Sequence, residues 1–173
     1  MPATSQQYDP SDSARIRLFG QNGKPSIMKV ETAQGKTVEV NVGGGAADAF
    51  GSLLGTVKSN SIGIIETENT QNLQQGSGIL SKVFYREFVI PAGREVHVRN
   101  AYIGLSSVTH NPGNGMTTLY KEGSCSSQTL SFVPEAGKDY EVGSYKNGSQ
   151  CSVMVFEIKN QQGKAILTPV KIK

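Results

Sequence analysis

The chain has 173 residues, enough for one domain of ordinary size, and carries 17 basic against 14 acidic residues. The basic residues are spread along the whole chain instead of clustering among aromatic side chains, so the sequence does not predict a nucleic-acid-binding protein. No stretch approaches the ~20 consecutive apolar residues that cross a bilayer. The 20 glycines against 7 prolines indicate many turns between short strands.

The start of the chain is polar and shows no periodicity. We therefore expect a flexible tail over residues 1–13, followed by a single domain over residues 14–173. The opening residues lack the apolar core of a signal peptide, so the chain is either cytosolic or the mature form of an exported protein. We expect the second, because the polar, Ser/Gln-rich opening resembles the tether that follows the lipid-modified cysteine of bacterial lipoproteins. Such an N-terminal lipid anchor would be the chain's only contact with a membrane.

The next segment alternates between apolar and polar residues, as half-buried strands do. Ile16 and Leu18 form the inner face of a first predicted strand, with Arg17 on its outer face. The same period predicts strands near residues 27–30 and 38–42.

The pattern changes after the glycine run at residues 43–45. Apolar residues then recur with a helical period, which predicts one short helix over about residues 47–58, packed on a sheet. The glycine run lacks the Lys-Ser/Thr pair of a phosphate-binding loop, so we interpret it as a flexible joint. Residues 62–65 are typical of a buried strand, and residues 66–78 are typical of a polar loop.

The second half of the chain again shows short apolar runs separated by turn residues. Together with the first half, this spacing predicts a mainly β fold, an antiparallel β-sandwich with one short inserted helix. The runs lie near residues 83–90, 96–103, 117–120, 130–132, 140–142, 153–156 and 166–172.

Two turn motifs in this half give a resemblance to a known group. Ile90-Pro91-Ala92-Gly93 precedes a strand, and Ser131-Phe132-Val133-Pro134 is followed by Gly137-Lys138-Asp139-Tyr140. Over about residues 83–158 the chain resembles small bacterial lipoproteins and periplasmic proteins with transthyretin-like or immunoglobulin-like sandwiches. The resemblance implies a fold and an exported compartment, and it implies no activity.

The chain has two cysteines, Cys125 and Cys151, each next to serine. Cys125 lies in a Gly/Ser-rich segment that is unlike a core, and Cys151 begins a predicted strand. We therefore expect a disulfide between them, with two independent buried thiols as the alternative. A disulfide would indicate export to an oxidising compartment. The chain has no CxxC motif, so the sequence supports neither a thioredoxin-like site nor a zinc ribbon.

Few residues are candidates for catalysis or metal binding. His97 alternates with two valines on a predicted strand, and His110 lies in a Gly/Asn/Pro loop without the partners of a metal site. Glu66 and Glu68 would share one face of an extended segment, as the paired carboxylates of a glycosidase do. We interpret all four as solvent-facing residues, and we expect neither a catalytic site nor a cofactor.

These observations favour a non-enzymatic protein of the bacterial cell envelope, a binding or structural domain in the periplasm or at the outer membrane. We expect a monomer with a protein or glycan partner. A periplasmic inhibitor or immunity protein against a toxin or hydrolase is the second hypothesis, and a carbohydrate-directed enzyme with a cryptic site is the third. The loop at residues 109–115 is the candidate partner-binding segment, through Thr109, His110, Asn111 and Asn114.

Overall fold

The computed structural model describes residues 7–32, 34–44, 61–73, 82–104, 106–121 and 123–172. Over these residues the chain is mainly β, as predicted. The helix expected over residues 47–58 lies outside them. In chain order the elements are β1 (Ser13–Gly20), β2 (Ser26–Glu31), β3 (Thr37–Val42), α1 (Glu68–Gln71), β4 (Phe84–Pro91), β5 (Val96–Tyr102), β6 (Ser106–Asn111), β7 (Met116–Lys121), β8 (Cys125–Ser126), β9 (Leu130–Phe132), β10 (Asp139–Asn147), β11 (Gln150–Gln161) and β12 (Lys164–Pro169).

The first sheet has five strands in the order β12-β11-β10-β1-β4. β1 lies beside β10 in parallel, with Arg17 opposite Glu141, whereas every other neighbouring pair in this sheet is antiparallel. The expectation of an antiparallel sandwich therefore holds except at this pair. A parallel pair needs a crossover connection, and here the chain supplies one by passing through the second sheet between β1 and β10.

The second sheet has the order β3-β2-β5-β8, and β9 also pairs with β5. Its pairs are all antiparallel. β6 and β7 pair with each other as a separate two-stranded sheet, inserted between β5 and β8.

The core lies between the two five-stranded sheets and is built from alternate residues of their strands. Gly20 lies where β1 approaches β3, since a Cβ there would be 2.6 Å from the carbonyl oxygen of Val42. A glycine at this position allows the two sheets to meet. The core members include Ile16, Leu18, Val142 and Val155 from the first sheet and Met28, Val30, Val96, Val98 and Phe132 from the second.

The two turn motifs each contain a glycine with a positive φ. Gly93 and Gly137 have φ of 74° and 75°, values that favour glycine. Tyr140 is buried, its ring lies 5.1 Å from that of Phe132, and its hydroxyl accepts a hydrogen bond from the backbone N–H of Glu135 at 2.9 Å. Each motif therefore turns the chain into a strand of the core.

Backbone hydrogen bonds join the residues just before β1 to the sandwich. Ser13 already belongs to β1, and its N–H donates to the carbonyl of Asp9 at 2.9 Å. The N–H of Ala92 donates to the carbonyl of Asp12 at 3.0 Å. These backbone hydrogen bonds tie residues 9–13 to β1 and to the end of β4.

Residues 61–73 cover the outer face of the first sheet, and the buried strand expected at residues 62–65 is not formed. Ile64 is buried, but the carbonyls of Ile64 and Ile65 accept hydrogen bonds from Arg17 instead of joining a strand ladder. α1 follows, capped at its N-terminus by Thr67, whose hydroxyl accepts from the N–H of Thr70. Arg17, on the outer face of β1, is consequently buried.

Candidate functional site

The predicted disulfide between Cys125 and Cys151 is confirmed, with a Cα–Cα distance of 5.6 Å. Cys125 belongs to β8 and Cys151 to β11, so the bond joins the two sheets of the sandwich. In the strand registers Cys125 lies opposite Tyr102 and Cys151 lies opposite Lys146. The bond is compatible with an oxidising, exported compartment.

The segment predicted to bind a partner forms most of a β-hairpin. Thr109, His110 and Asn111 lie in β6, and residues 112–115 form the turn into β7. His110 Nδ1 lies 3.0 Å from the Thr117 hydroxyl in β7.

The asparagine side chains build the turn itself. The Oδ1 of Asn111 accepts from the N–H of Gly113 at 2.9 Å, and the Oδ1 of Asn114 accepts from the N–H of Met116 at 3.0 Å. Asn111 and Asn114, which were predicted to contact a partner, therefore also stabilise the turn.

The more distinctive property of the hairpin is its exposed apolar surface. Every residue from 108 to 120 is exposed. Val108 and Leu119 lie opposite each other on one face, and Met116 and Tyr120 lie on the other. Within the described residues neither strand of the hairpin pairs with any third strand. The exposed fractions are 67% for Val108, 62% for Met116, 66% for Leu119 and 59% for Tyr120.

The other residues singled out in the sequence do not converge on one site. The Nδ1 of His97 lies 2.6 Å from the Ser131 hydroxyl, and its Nε2 lies 3.8 Å from the carboxylate of Glu95, on the second sheet. Glu66 and Glu68 are exposed near α1. In the described part of the chain, neither carboxylate forms a hydrogen bond with His97 or His110.

A buried ion cluster lies on the outer face of the first sheet. Arg17 in β1 is flanked in register by Glu87 of β4 and Glu141 of β10. Its Nε lies 2.9 Å from the Oε1 of Glu87, and its Nη1 lies 2.7 Å from the Oε2 of Glu141. The arginine side chain is 1% exposed, and both glutamate side chains are 0% exposed.

Residues 61–73 complete the hydrogen bonding of this cluster from above. Each carboxylate accepts two further hydrogen bonds, and Nη2 of Arg17 donates to two carbonyls. Since all three charged groups are buried and fully partnered, the cluster fixes the covering segment to the sheet and leaves no group open to a substrate. The donors are Ser61 Oγ (2.9 Å) and Ile62 N–H (2.6 Å) to Glu87, and Thr67 Oγ1 (2.8 Å) and Asn69 Nδ2 (2.7 Å) to Glu141; the carbonyls are those of Ile64 (3.1 Å) and Ile65 (3.0 Å).

An open cleft of about 460 Å³ lies at the end of the sandwich that holds the disulfide. Its walls come from the ends of β1, β5 and β10 and from the residues around α1. Both sheets and the covering segment therefore contribute to it. Prominent lining residues are Phe19, Asn72, Asn100, Tyr102, Tyr145 and Lys146.

Two lysines lie together in this cleft. The Nζ of Lys146 is 3.8 Å from the centroid of the Tyr102 ring, and the Nζ of Lys24 is 5.1 Å from the same centroid. Neither ammonium forms a salt bridge within the described part of the chain. Among the described residues, no neighbouring carboxylate therefore neutralises the positive charge of the cleft.

The cleft also contains an aromatic surface and a buried amide. The ring of Tyr145 lies across Gly143, since a Cβ on that glycine would be 3.0 Å from the tyrosine hydroxyl. Asn100 is 5% exposed, and its Nδ2 donates to the carbonyl of Ser152 at 2.8 Å. Among the described residues its buried Oδ1 has no hydrogen-bond partner.

Neither the cluster nor the cleft was predicted from the sequence. The cluster had one local signal, an arginine and two glutamates in strands that otherwise alternate. These three residues become neighbours only once the strand order is known. The cleft had none, because its residues come from segments far apart in the chain.

Comparisons with known proteins do not add a relative. No protein-family model, curated protein or solved structure matches the chain. Within the described residues, no three His, Cys, Asp or Glu side chains are grouped so that they could hold a metal ion. The helix found there is too short to cross a membrane.

Proposed function

We propose that this chain is a non-enzymatic binding domain of the bacterial cell envelope, which captures a protein partner through the β6–β7 hairpin. The exposed apolar surface of the hairpin is the observation that carries the proposal. Monomeric proteins seldom leave several large apolar side chains together in water without an interaction to make.

The geometry of the hairpin suits an extended partner segment. A two-stranded sheet has two outer edges, each with backbone N–H and C=O groups that can pair with an added strand. Val108 and Leu119 would then anchor side chains of the partner on one face, and Met116 and Tyr120 would do so on the other. Tyrosine and methionine are enriched at the centres of protein interfaces.

Two features support a location outside the cytoplasm. In a bacterial cytosol Cys125 and Cys151 would be kept as reduced thiols, so their disulfide favours a location outside it. The second half of the chain also resembles exported lipoproteins in its turn motifs. We propose attachment to the outer membrane or residence in the periplasm, with an N-terminal lipid as the anchor. Cell fractionation and palmitate labelling of the natural gene product test this, and an unlabelled cytosolic product contradicts it.

The partner can be identified by photo-cross-linking in the source bacterium. A cross-linking amino acid at position 119 should give one dominant adduct, because Leu119 is 66% exposed in the proposed interface. The same amino acid at position 172 is the matched control, since Ile172 is 51% exposed and lies outside the hairpin. Equal adducts at both positions would contradict the proposal.

The purified partner then allows affinity to be measured. The double variant Val108→Asp/Leu119→Asp should raise Kd at least about tenfold, because two apolar anchors on one face become charged. Ile172→Asp should leave Kd unchanged. An unchanged affinity in the double variant would refute binding through the hairpin. An adduct with a hydrolase or toxin that the chain inactivates would favour the inhibitor or immunity hypothesis.

A further inference from the structure

We propose that the cleft at the disulfide end of the sandwich binds an acidic saccharide, meaning a sugar ring that carries a carboxylate. This site is separate from the hairpin surface and does not depend on the proposed protein partner. Its volume of about 460 Å³ lies in the range of small-molecule sites.

The two lysines supply the recognition of the carboxylate. Lys24 and Lys146 both hold their ammonium groups near the Tyr102 ring, at 5.1 Å and 3.8 Å from its centroid. Two cations at one aromatic ring, without a carboxylate partner in the described residues, repel each other. A ligand carboxylate placed between them relieves that repulsion and accepts charge-assisted hydrogen bonds.

The amides of the cleft suit sugar hydroxyls. A carboxamide both donates and accepts, as a hydroxyl does, so Asn72 can bind an O–H group in either sense, whereas Asn100 offers its Oδ1 as an acceptor. The Oδ1 of Asn100 is the strongest of these positions, because it is buried and has no partner within the described chain. An acceptor that is unsatisfied in a buried place gains the most from a donor.

The aromatic side chains suit the ring of the sugar. Tyr145 lies with one side against Gly143, and its side chain is about half exposed. A flat ring held in this way can stack on the apolar C–H face of a pyranose. A purely aromatic carboxylate would use Tyr145 and the lysines, but it would leave the amides unused.

The disulfide holds the parts of the cleft together. Cys125 lies opposite Tyr102 on the second sheet, and Cys151 lies opposite Lys146 on the first. The contact between Lys146 and Tyr102 therefore bridges the sheets beside the covalent bond. The walls of the cleft are fixed before a ligand arrives, which lowers the entropy cost of binding.

Titration with glucuronate tests the proposal, and glucose is the matched control because it differs only at C6. Amide chemical shifts of the intact, disulfide-bonded chain report the binding. We expect glucuronate to bind with a Kd on the order of 1 mM and to shift the signals of Asn100, Tyr102 and Tyr145. Glucose and acetate should each bind at least about tenfold more weakly, because each lacks half of the recognised groups.

Variants assign the binding to the cleft. Lys146→Gln and Lys24→Gln should each raise the Kd for glucuronate about fivefold. Tyr145→Ala should raise it about threefold or more. Lys159→Gln removes the same charge from an exposed position on β11 and should leave the Kd unchanged.

Four results would overturn the proposal. They are no shift with glucuronate up to about 20 mM, glucose binding as tightly as glucuronate, acetate binding as tightly as glucuronate, or equal losses in the Lys146 and Lys159 variants. A failure here leaves the hairpin proposal intact, because cross-linking at position 119 does not involve the cleft.

Discussion

Replacing Arg17 with methionine would leave two buried carboxylates without their shared cation. Glu87 and Glu141 lie on either side of Arg17 in the strand register, and both of their side chains are 0% exposed. Methionine has a similar length and fits among the aliphatic atoms. The change therefore removes the charge and the hydrogen bonds without leaving a large void.

The expected cost follows from the burial of the cluster. Breaking one buried ion pair by removing a single partner costs about 3–5 kcal/mol, because the remaining charge stays desolvated. Arg17 serves two carboxylates and also donates to the carbonyls of Ile64 and Ile65. We therefore expect Arg17→Met to lower the free energy of unfolding by about 4–5 kcal/mol at pH 7.

Arg15→Met is the matched control. Arg15 lies on the same face of β1 and pairs with Asp139 at 2.7 Å, but both side chains are 17% exposed. A partly solvated pair of this kind contributes about 1 kcal/mol. Urea unfolding of both variants, with the disulfide intact, can be followed by far-UV circular dichroism, since the chain has no tryptophan.

A triple variant separates a charge effect from a packing effect. The triple variant Arg17→Met/Glu87→Gln/Glu141→Gln should be more stable than Arg17→Met alone at pH 7. A deficit no larger than that of Arg15→Met, or a triple variant no more stable than Arg17→Met alone, would refute the reasoning.

Three further predictions concern the core and the disulfide. Replacing Cys125 and Cys151 with serine should lower the free energy of unfolding by about 3.5 kcal/mol, the chain-entropy value for a separation of 26 residues; equal urea midpoints before and after the change would contradict it. Burial raises the pKa of Tyr140, so its contribution to stability is complete below the unfolded value of about 10 and is lost as pH rises through the folded value. Urea unfolding from pH 8 to 11 should therefore show a decline that is shallower in Tyr140→Phe, and parallel declines would count against it. Gly20→Ala should lower stability by about 2 kcal/mol, because the new Cβ would lie 2.6 Å from the carbonyl oxygen of Val42; an unchanged thermal midpoint would show that the strands can separate freely.

Local patterns in the sequence predicted the strands well, because strand faces and turns depend on residues close together in the chain. The alternation around Ile16 and Leu18 corresponds to β1, and both side chains are fully buried. Gly93 and Gly137 adopt positive φ in the turns where they were expected. The disulfide was also predictable, since the chain has only two cysteines and one lies in a segment unlike a core.

The burial of Arg17 could not be predicted in this way. Alternation separates the two faces of a strand, but it does not show that a later segment covers the outer face. Residues 61–73 form that cover, but the sequence predicts there only a buried strand followed by a polar loop. Their hydrogen bonds to Glu87 and Glu141 depend on the parallel pairing of β1 with β10, across a separation of 124 residues between Arg17 and Glu141.

The cleft was hidden for a related reason. Lys24, Asn100 and Tyr145 lie in three segments with ordinary surface composition, and no period or motif connects them. Only the packing of the two sheets places them around one space. The hairpin is an intermediate case, because its turn residues were recognised but its apolar strands were read as one short strand after a loop.

The hairpin and the cleft share one piece of covalent structure. β5 ends at Tyr102 beside the cleft, the chain then extends through the hairpin, and it returns at Cys125, which is joined to Cys151. The non-covalent ties at this return point are β8, a strand of only two residues, and two hydrogen bonds between Ser127 and the backbone of Asn100. Because these ties are short, the disulfide reinforces both the base of the hairpin and the contact between Tyr102 and Lys146. Reduction of the disulfide should therefore disturb the hairpin and the cleft together. Loss of Arg17 should instead act first on residues 61–73, which cover the outer face of the first sheet.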